Sequence, residues 1–347
     1  MHTDKRDPDR DEVKLESDKY ASYEQSYDPE WKNNQWRRDR KAQKHQPKKS
    51  TAAVLATLVD ETVGLEGGFT ITYQPARFEE GFLRDSVRPF FEQTLITDIL
   101  AQIKGGKEAS VYRCVAHPTV DTPLLAAKVY RPRQFRNLSN DAAYREGRQV
   151  LKDDGRPVKP NDHRIQRALN KKTTYGVQVA HTSWLMYEFT TLARLYAAGA
   201  AVPKPYATSE NAILMAYIGD EQRAAPTLHE SRLTAEEAPR LFAEVMRNID
   251  LMLQQGWIHG DLSAYNILYW QGAITLIDFP QVVNVANNSA AYEILARDVV
   301  RVCQYFAGQG VQSQPEQIVD LLWSRYQRTD AKDRLADFSR FTEVSEE

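Results

Sequence analysis

His259-Gly260-Asp261-Leu262-Ser263-Ala264-Tyr265-Asn266, followed by Leu276-Ile277-Asp278-Phe279-Pro280, decides how this chain reads. Asp261 stands five residues ahead of Asn266, and Asp278 closes an apolar stretch twelve residues further on. Phosphoryl transfer asks a protein for positioning and for cations against phosphate charge rather than for covalent chemistry. One carboxylate to take the proton of an attacking hydroxyl and two hard oxygen ligands for Mg²⁺ meet that need. Asp261 is the candidate base, and Asn266 and Asp278 are the candidate metal ligands. This spacing implies an ATP-using, kinase-like enzyme.

The flanks fit a loop of that kind. Upstream, Thr234 with Glu237 three residues on forms a capping box. It predicts a helix with Phe242, Val245, Met246, Ile249 and Leu253 on its buried stripe and Gly256 as its stop. Downstream, Ile267–Trp270 and Ala273–Phe279 read as strands joined by the two-residue turn Gln271-Gly272. Ser289–Phe306 and Gln314–Tyr326 read as closing helices. His259 reads as a structural histidine beneath the loop, which leaves Asp261 as the base.

Earlier in the chain, Ile96–Ile103, Val111–Val115 and Leu124–Tyr130 read as strands of a nucleotide-binding sheet. The turn Gly105-Gly106-Lys107 would offer backbone N–H groups and a charge to phosphates. Alternation puts Ala126 and Lys128 on one face. Lys128 would hold the phosphates while paired with Glu188 on a helix predicted over Thr182–Gly199, whose Leu185, Phe189, Leu192 and Leu195 point inward. Tyr206–Thr208 and Ala212–Ile218 form a hairpin turned at Ser209–Asn211, with Met215–Gly219 as an extended exit. Adenine would lie between Val111 and Ala126 on one side and Leu268 on the other, bonding the main chain of Ala216 and Ile218 beside Met215. Glu80–Leu95 reads as a docking helix, with Pro89 as a break point.

The composition sets limits. The chain has 347 residues, with 45 Lys and Arg against 47 Asp and Glu, so whole-chain charge calls for no polyanionic partner. Cys114 and Cys303 are the only cysteines, which excludes a disulfide framework and a cysteine-rich zinc site; both read as buried small hydrophobes. No apolar run is long enough to span a bilayer, and the N-terminus is charged, so cytoplasm is the expected location. Residues 1–50 hold too few apolar side chains to offset the entropy of ordering and read as a disordered tail. Residues 51–78 carry no clear assignment. Within the tail, Trp31–Lys49 is basic and interleaved with Trp31 and Trp36, a pattern suited to RNA or to an acidic protein surface, or simply to a solvated face. Residues 131–172 carry twelve basic side chains against five acidic ones and read as a loop or partly ordered helix.

Gly106-Lys107-Glu108-Ala109 with Val111-Tyr112, Ala127-Lys128-Val129-Tyr130-Arg131, Met215–Gly219, His259–Asn266 and Ile277-Asp278 with Gln281 together resemble the RIO family of atypical protein kinases, its type-one branch above all. The resemblance spans about residues 83–310. It implies an α+β, two-lobed protein-kinase-like fold, with an N-terminal lobe at 79–218 and a reduced C-terminal lobe at 219–347 following the mostly disordered charged tail at 1–78. It further implies ATP with Mg²⁺, or Mn²⁺ in its place, and autophosphorylation on serine. An ATPase-driven switch with transient phosphorylation of Asp278, and a role in maturing the small ribosomal subunit, are implied as well.

Ordinary protein kinases read His-Arg-Asp with a lysine two residues after the Asp. Here Gly260 replaces the arginine that senses activation-loop phosphorylation, and Ser263, also a candidate nucleotide contact, replaces the lysine. Pro280 follows Asp-Phe in place of glycine and biases Phe279 toward extended backbone. No Ala-Pro-Glu segment follows in the 69 residues after Asp278, so peptide-binding helices are expected to be missing. Two alternatives stay open: a small-molecule phosphotransferase of the aminoglycoside or choline kinase type, and a nucleotide-gated RNA-binding scaffold using the basic segments.

Overall fold

The computed structural model describes residues 70–75, 79–106, 108–130, 148–159, 161–171 and 173–328. The expectations for the charged tail and its basic stretch, for residues 51–69, for Lys107, and for the part of the basic insertion at 131–147 with Lys172 lie outside these residues. The elements in order are β1 (Thr70–Ile71), α1 (Glu79–Glu92), β2 (Ile96–Gly105), β3 (Ala109–Ala116), β4 (Leu124–Tyr130), α2 (His163–Lys171), α3 (Thr174–Ala197), β5 (Pro205–Thr208) and β6 (Ala212–Ala216). They continue with α4 (Glu237–Gln254), β7 (Trp257–Ile258), β8 (Ile267–Trp270), β9 (Ala273–Leu276), β10 (Val283–Asn284), α5 (Ala291–Ala307) and α6 (Pro315–Arg328). This is the α+β class expected. The chain divides into two compact units, one drawn from Met1–Asn137 with Ser209–Leu214, the other from Leu138–Thr208 with Met215–Glu347.

In the first unit the strand order is β1-β2-β3-β4-β6. β2, β3 and β4 pair antiparallel, with Val111 opposite Lys128 and Arg113 opposite Ala126. Directly opposed residues share a face, so Val111, Ala126 and Lys128 lie together on one side of the sheet, as the alternation predicts. The other side presents Tyr112, Cys114, Leu125 and Ala127 to the core. α1 packs there with Phe82, Leu83, Val87 and Phe90 buried, each contributing about 1.5–3 kcal/mol. Pro89 does not break this helix, which runs on to Glu92. It sits in the last turn, so little helix follows the lost N–H bond, and its own carbonyl still accepts from Gln93 N at 3.0 Å. The β2–β3 turn is tight: Gly106 N donates to Ala109 O at 2.9 Å, and a Cβ on Gly106 would meet that oxygen at 2.9 Å.

In the second unit, α3 begins at Thr174, eight residues before the expected start. Thr173 caps it by accepting from Gly176 N at 3.1 Å. The apolar period is weak over this first stretch because Gly176 is there for contact: a Cβ would lie 2.1 Å from Ala168 O on α2. Leu185, Leu192 and Leu195 are buried as expected, whereas Phe189 is only half-buried and the inward position next to it belongs to Glu188. Part of the basic insertion is thus helical, as α2, with Ile165 and Ala168 buried.

The expected capping box is made: Thr234 N donates to Glu237 Oε2 at 3.0 Å and Glu237 N to Thr234 Oγ1 at 3.2 Å. Val245, Ile249 and Leu253 of α4 are buried, Phe242 and Met246 half-buried. Gly256, at φ +78°, ends the helix in the left-handed region. β8 and β9 pair through Gln271 and Gly272 at φ +48° and +80°, a type I′ turn. The strand ends at Leu276 rather than running on to Phe279, because Asp278 turns the backbone to φ +71°. Both cysteines are free and buried. Among the described residues no helix is long and apolar enough to cross a membrane.

Candidate active site

β7 leads straight into the loop His259–Asn266, which ends in a 3-10 turn over Ala264–Asn266. Asn266 Nδ2 donates to the main-chain oxygen of Asp261 at 2.9 Å and to its Oδ2 at 3.4 Å. Those bonds set the amide so that Oδ1 points to its other side. Ile277 N donates to Asn266 O at 3.0 Å, which ties the end of the hairpin to the loop one residue before Asp278. Asp278 is exposed and holds a positive φ that few non-glycine residues adopt, at a cost of order 1–3 kcal/mol. The loop and the hairpin end therefore converge.

His259 is buried, with Nε2 bonded to Ile277 O at 3.1 Å and Nδ1 accepting from Asp261 N at 3.4 Å. Its ring lies 4.8 Å from that of Phe279, which is also buried. Both ring nitrogens serve the backbone, which agrees with a structural histidine. Gly260 has φ +83°, and a Cβ there would sit 2.3 Å from Gln281 O. Close backbone approach thus accounts for glycine in the place of the usual arginine.

Helix α5 grips the loop through three side chains that no local motif marks as part of the site. Asp298 Oδ2 accepts from Gly260 N at 2.8 Å, Arg297 donates to Gly260 O, and Arg301 Nη1 pairs with Asp261 Oδ1 at 2.7 Å. Burial pushes the Asp298 carboxyl above the ordinary range, against the pull of His259, Arg297 and the N–H groups of Gly260 and Leu262. A signal was present: Asp298 occupies a stripe position among Leu295, Val299 and Val302, where the helical period asks for an apolar residue. Arg148 is the other addition. Its Nη2 donates to Pro280 O at 2.8 Å and Val282 O at 2.7 Å, and its guanidinium lies 4.8 Å from the Tyr187 ring centroid.

Gly105, Gly106, Val111, Ala126 and Lys128 are in the first unit, with Lys128 Nζ 5.1 Å from the ring of Tyr130. Glu188 is buried on α3 of the second unit. Met215 and Ala216 end β6, where Ala216 N donates to Lys204 O at 2.8 Å; Ile218 O accepts from Ala225 N at 2.9 Å. Leu268 is half-buried on β8 and bridges to Thr227. Ser263 is half-buried, and its carbonyl accepts from Asn266 N at 2.9 Å. Lys107 lies outside the described residues.

Asn266 Oδ1 and the Asp278 carboxylate are hard oxygen donors of the kind Mg²⁺ takes. Among the described residues no group of three or more His, Cys, Asp or Glu gathers to hold a metal unaided. A nucleotide-bound Mg²⁺ needs only one or two protein carboxylates beside the phosphates.

Comparison with known proteins settles the ancestry. The family model for the RIO domain matches residues 111–318, more than half of the chain. The chain belongs to the RIO family. Among RIO relatives, it is 30% identical over 238 residues to serine/threonine-protein kinase RIO1 of Chaetomium thermophilum, covering 65% of this chain and 43% of that protein. It is 30% identical over 223 residues to RIO-type serine/threonine-protein kinase Rio1 of Haloferax volcanii, covering 63% of this chain and 67% of the relative. Among solved RIO structures, the Rio2 kinase of Chaetomium thermophilum, in an ADP/Mg²⁺-phosphoaspartate complex, aligns at a TM-score of 0.48 and 18% identity over 86% of this chain and 87% of that one. The chain thus spans less than half of the fungal RIO1 and about two thirds of the archaeal Rio1.

Proposed function

We propose that this RIO-family chain is an ATP- and Mg²⁺-dependent serine/threonine kinase that autophosphorylates, or hydrolyses ATP as a conformational switch. The carrying observation is the joining of Asn266 to Asp261 and of Ile277 to Asn266, which brings a base candidate and two hard donors into one neighbourhood. In this reading Asp261 accepts the proton of a hydroxyl or water as its oxygen bonds to the γ-phosphorus. The bond to the β–γ bridging oxygen breaks, and its electron pair leaves with ADP. Asn266 and Asp278 would hold Mg²⁺, or Mn²⁺ in its place, which supplies charge against the phosphates. Lys128, with Glu188 as its partner, and the Gly105-Gly106 turn would bind phosphate, with Lys107 and Ser263 adding contacts.

Adenine would pack on Val111, Ala126 and Leu268. Since the Ala216 N–H and the Ile218 carbonyl already bond within the chain, recognition beside Met215 falls to the Ala216 carbonyl and the Ile218 N–H. We place the protein in the cytoplasm and its work in small-subunit ribosome maturation. Incubation with Mg²⁺ and γ-labelled ATP tests the reading. Labelled protein or released phosphate that Asp261→Ala and Asp278→Ala abolish is the expected result; activity unchanged in both variants refutes it.

A second role, RNA binding, draws support from α2. Arg164, Arg167 and Lys171 are exposed on a helix whose Ile165 and Ala168 are buried, which makes one face basic. RNA affinity that falls steeply with salt and drops when these three are neutralised supports this role; affinity that survives neutralisation rejects it.

A further inference from the structure

We infer that Arg301 supplies, from helix α5, the cation that this loop lacks at Ser263, and that it acts on phosphoryl transfer through Asp261. The inference rests on the kinase reading above. Ordinary kinases place a lysine two residues after the catalytic Asp, on the loop itself. Here that position is a serine, yet a guanidinium stands on Asp261 Oδ1 at 2.7 Å, from a residue 40 positions downstream.

The arrangement is built. Arg297 and Asp298 hold the carbonyl and N–H of Gly260, fixing α5 against the loop. Arg301 follows Arg297 at i+4 on the same helical face and so meets the next residue of the loop. On its other side Asp261 is held by Asn266 Nδ2. The pair is not a buried brace: the two side chains are 40% and 45% exposed, and ion pairs so exposed contribute little to folding. A guanidinium carries five donors in a planar fork, and Asp261 Oδ1 engages one of its nitrogens. Its other donors can meet oxygens of a phosphoryl group arriving at Asp261. Arg301 is thus a positioning residue for Asp261 and a cation beside the transferring group.

The test uses the full chain with Mg²⁺-ATP, measuring kcat, KM and nucleotide affinity for the wild type, Arg301→Met, Arg301→Lys, and Arg301→Met combined with Ser263→Lys. Expected are a fall in kcat on the order of 100-fold for Arg301→Met, ATP affinity within a few-fold of wild type, and turnover substantially regained when lysine is supplied at 263. Wild-type kcat in Arg301→Met overturns the inference, as does failure of Ser263→Lys to raise turnover in a double variant that melts like wild type. Should Arg301→Met fail to fold, Arg301→Lys decides: turnover within about tenfold of wild type supports a role for charge, and a rate as low as that of Asp261→Ala rejects it. Absence of turnover in the wild type defeats the kinase reading instead, so the two failures are distinguishable.

Discussion

The guanidinium of Arg148 donates to the carbonyl of Pro280 at 2.8 Å, two residues past Asp278, and the same nitrogen reaches Val282 O at 2.7 Å. Its planar group also covers the ring of Tyr187, the neighbour of Glu188 on α3. A single cation from the basic insertion therefore spans helix α3 and the segment that follows Asp278. Pro280 restricts Phe279, and Phe279 is buried against His259, so the segment is tied on this side as well.

Arg148→Ala should raise the Mg²⁺ concentration needed for half-maximal phosphate release and lower turnover by about tenfold, since small displacements of a reacting group are costly. Loss of two charge-assisted bonds should also cost about 1.5–3 kcal/mol of stability. Arg148→Lys should recover little, because an ammonium lacks both the fork and the stacking plane. A Mg²⁺ titration beside a denaturant melt checks both effects.

Gly260→Ala should destabilise by about 2 kcal/mol or more, since it places a Cβ into Gln281 O on a backbone that already has φ +83°. Denaturant unfolding of the variant measures this. A midpoint equal to that of the wild type would contradict the close approach.

Asp298→Ala should cost about 1–3 kcal/mol, because it leaves the buried Gly260 N–H without its acceptor. Asp298 also predicts a pH effect of definite sign. Burial raises its folded pKa, so it holds a proton more tightly folded than unfolded. That contribution is full below the unfolded aspartate value and is lost as pH rises through the folded one. The stability of wild type relative to Asp298→Asn should therefore decline as pH rises above the unfolded aspartate value of about 4, as denaturant melts at increasing pH will show.

Cys114 is fully buried, and burial pushes its thiol up to about 12, opposed in part by the bond to the Ala127 main chain and helped by a smaller push from the charge of Asp98. Burial also raises the Cys303 thiol. Neither should react with a disulfide reagent at pH 8 in the native protein, and both should react once denatured. Thiol counting with and without guanidinium tests this.

What could be read in the sequence was what short-range rules govern. The Thr234–Glu237 box and the Gln271-Gly272 turn are decided within three or four residues, and both form as expected. The alternation that puts Ala126 beside Lys128 is equally local. Pro89 misleads because the helix has only three residues left to run after it, and the early start of α3 is hidden because Gly176, a weak helix former, is set there by its contact with α2. The partners of Arg148, Arg301 and Asp298 were out of reach for another reason. They lie 132, 40 and 38 residues away, and only packing brings them in. Of the three side chains, Asp298 alone announces itself, as a charge on an apolar stripe.

The near-touch of Gly176 and Ala168 has a mechanical consequence. With no room for even a methyl group at that crossing, and Thr173 N bonded to Ala168 O at 3.2 Å, α2 and α3 are fastened like a handle to a rod. Any side chain larger than hydrogen at 176 would have to push α2, with its exposed arginines, off the helix that carries Glu188.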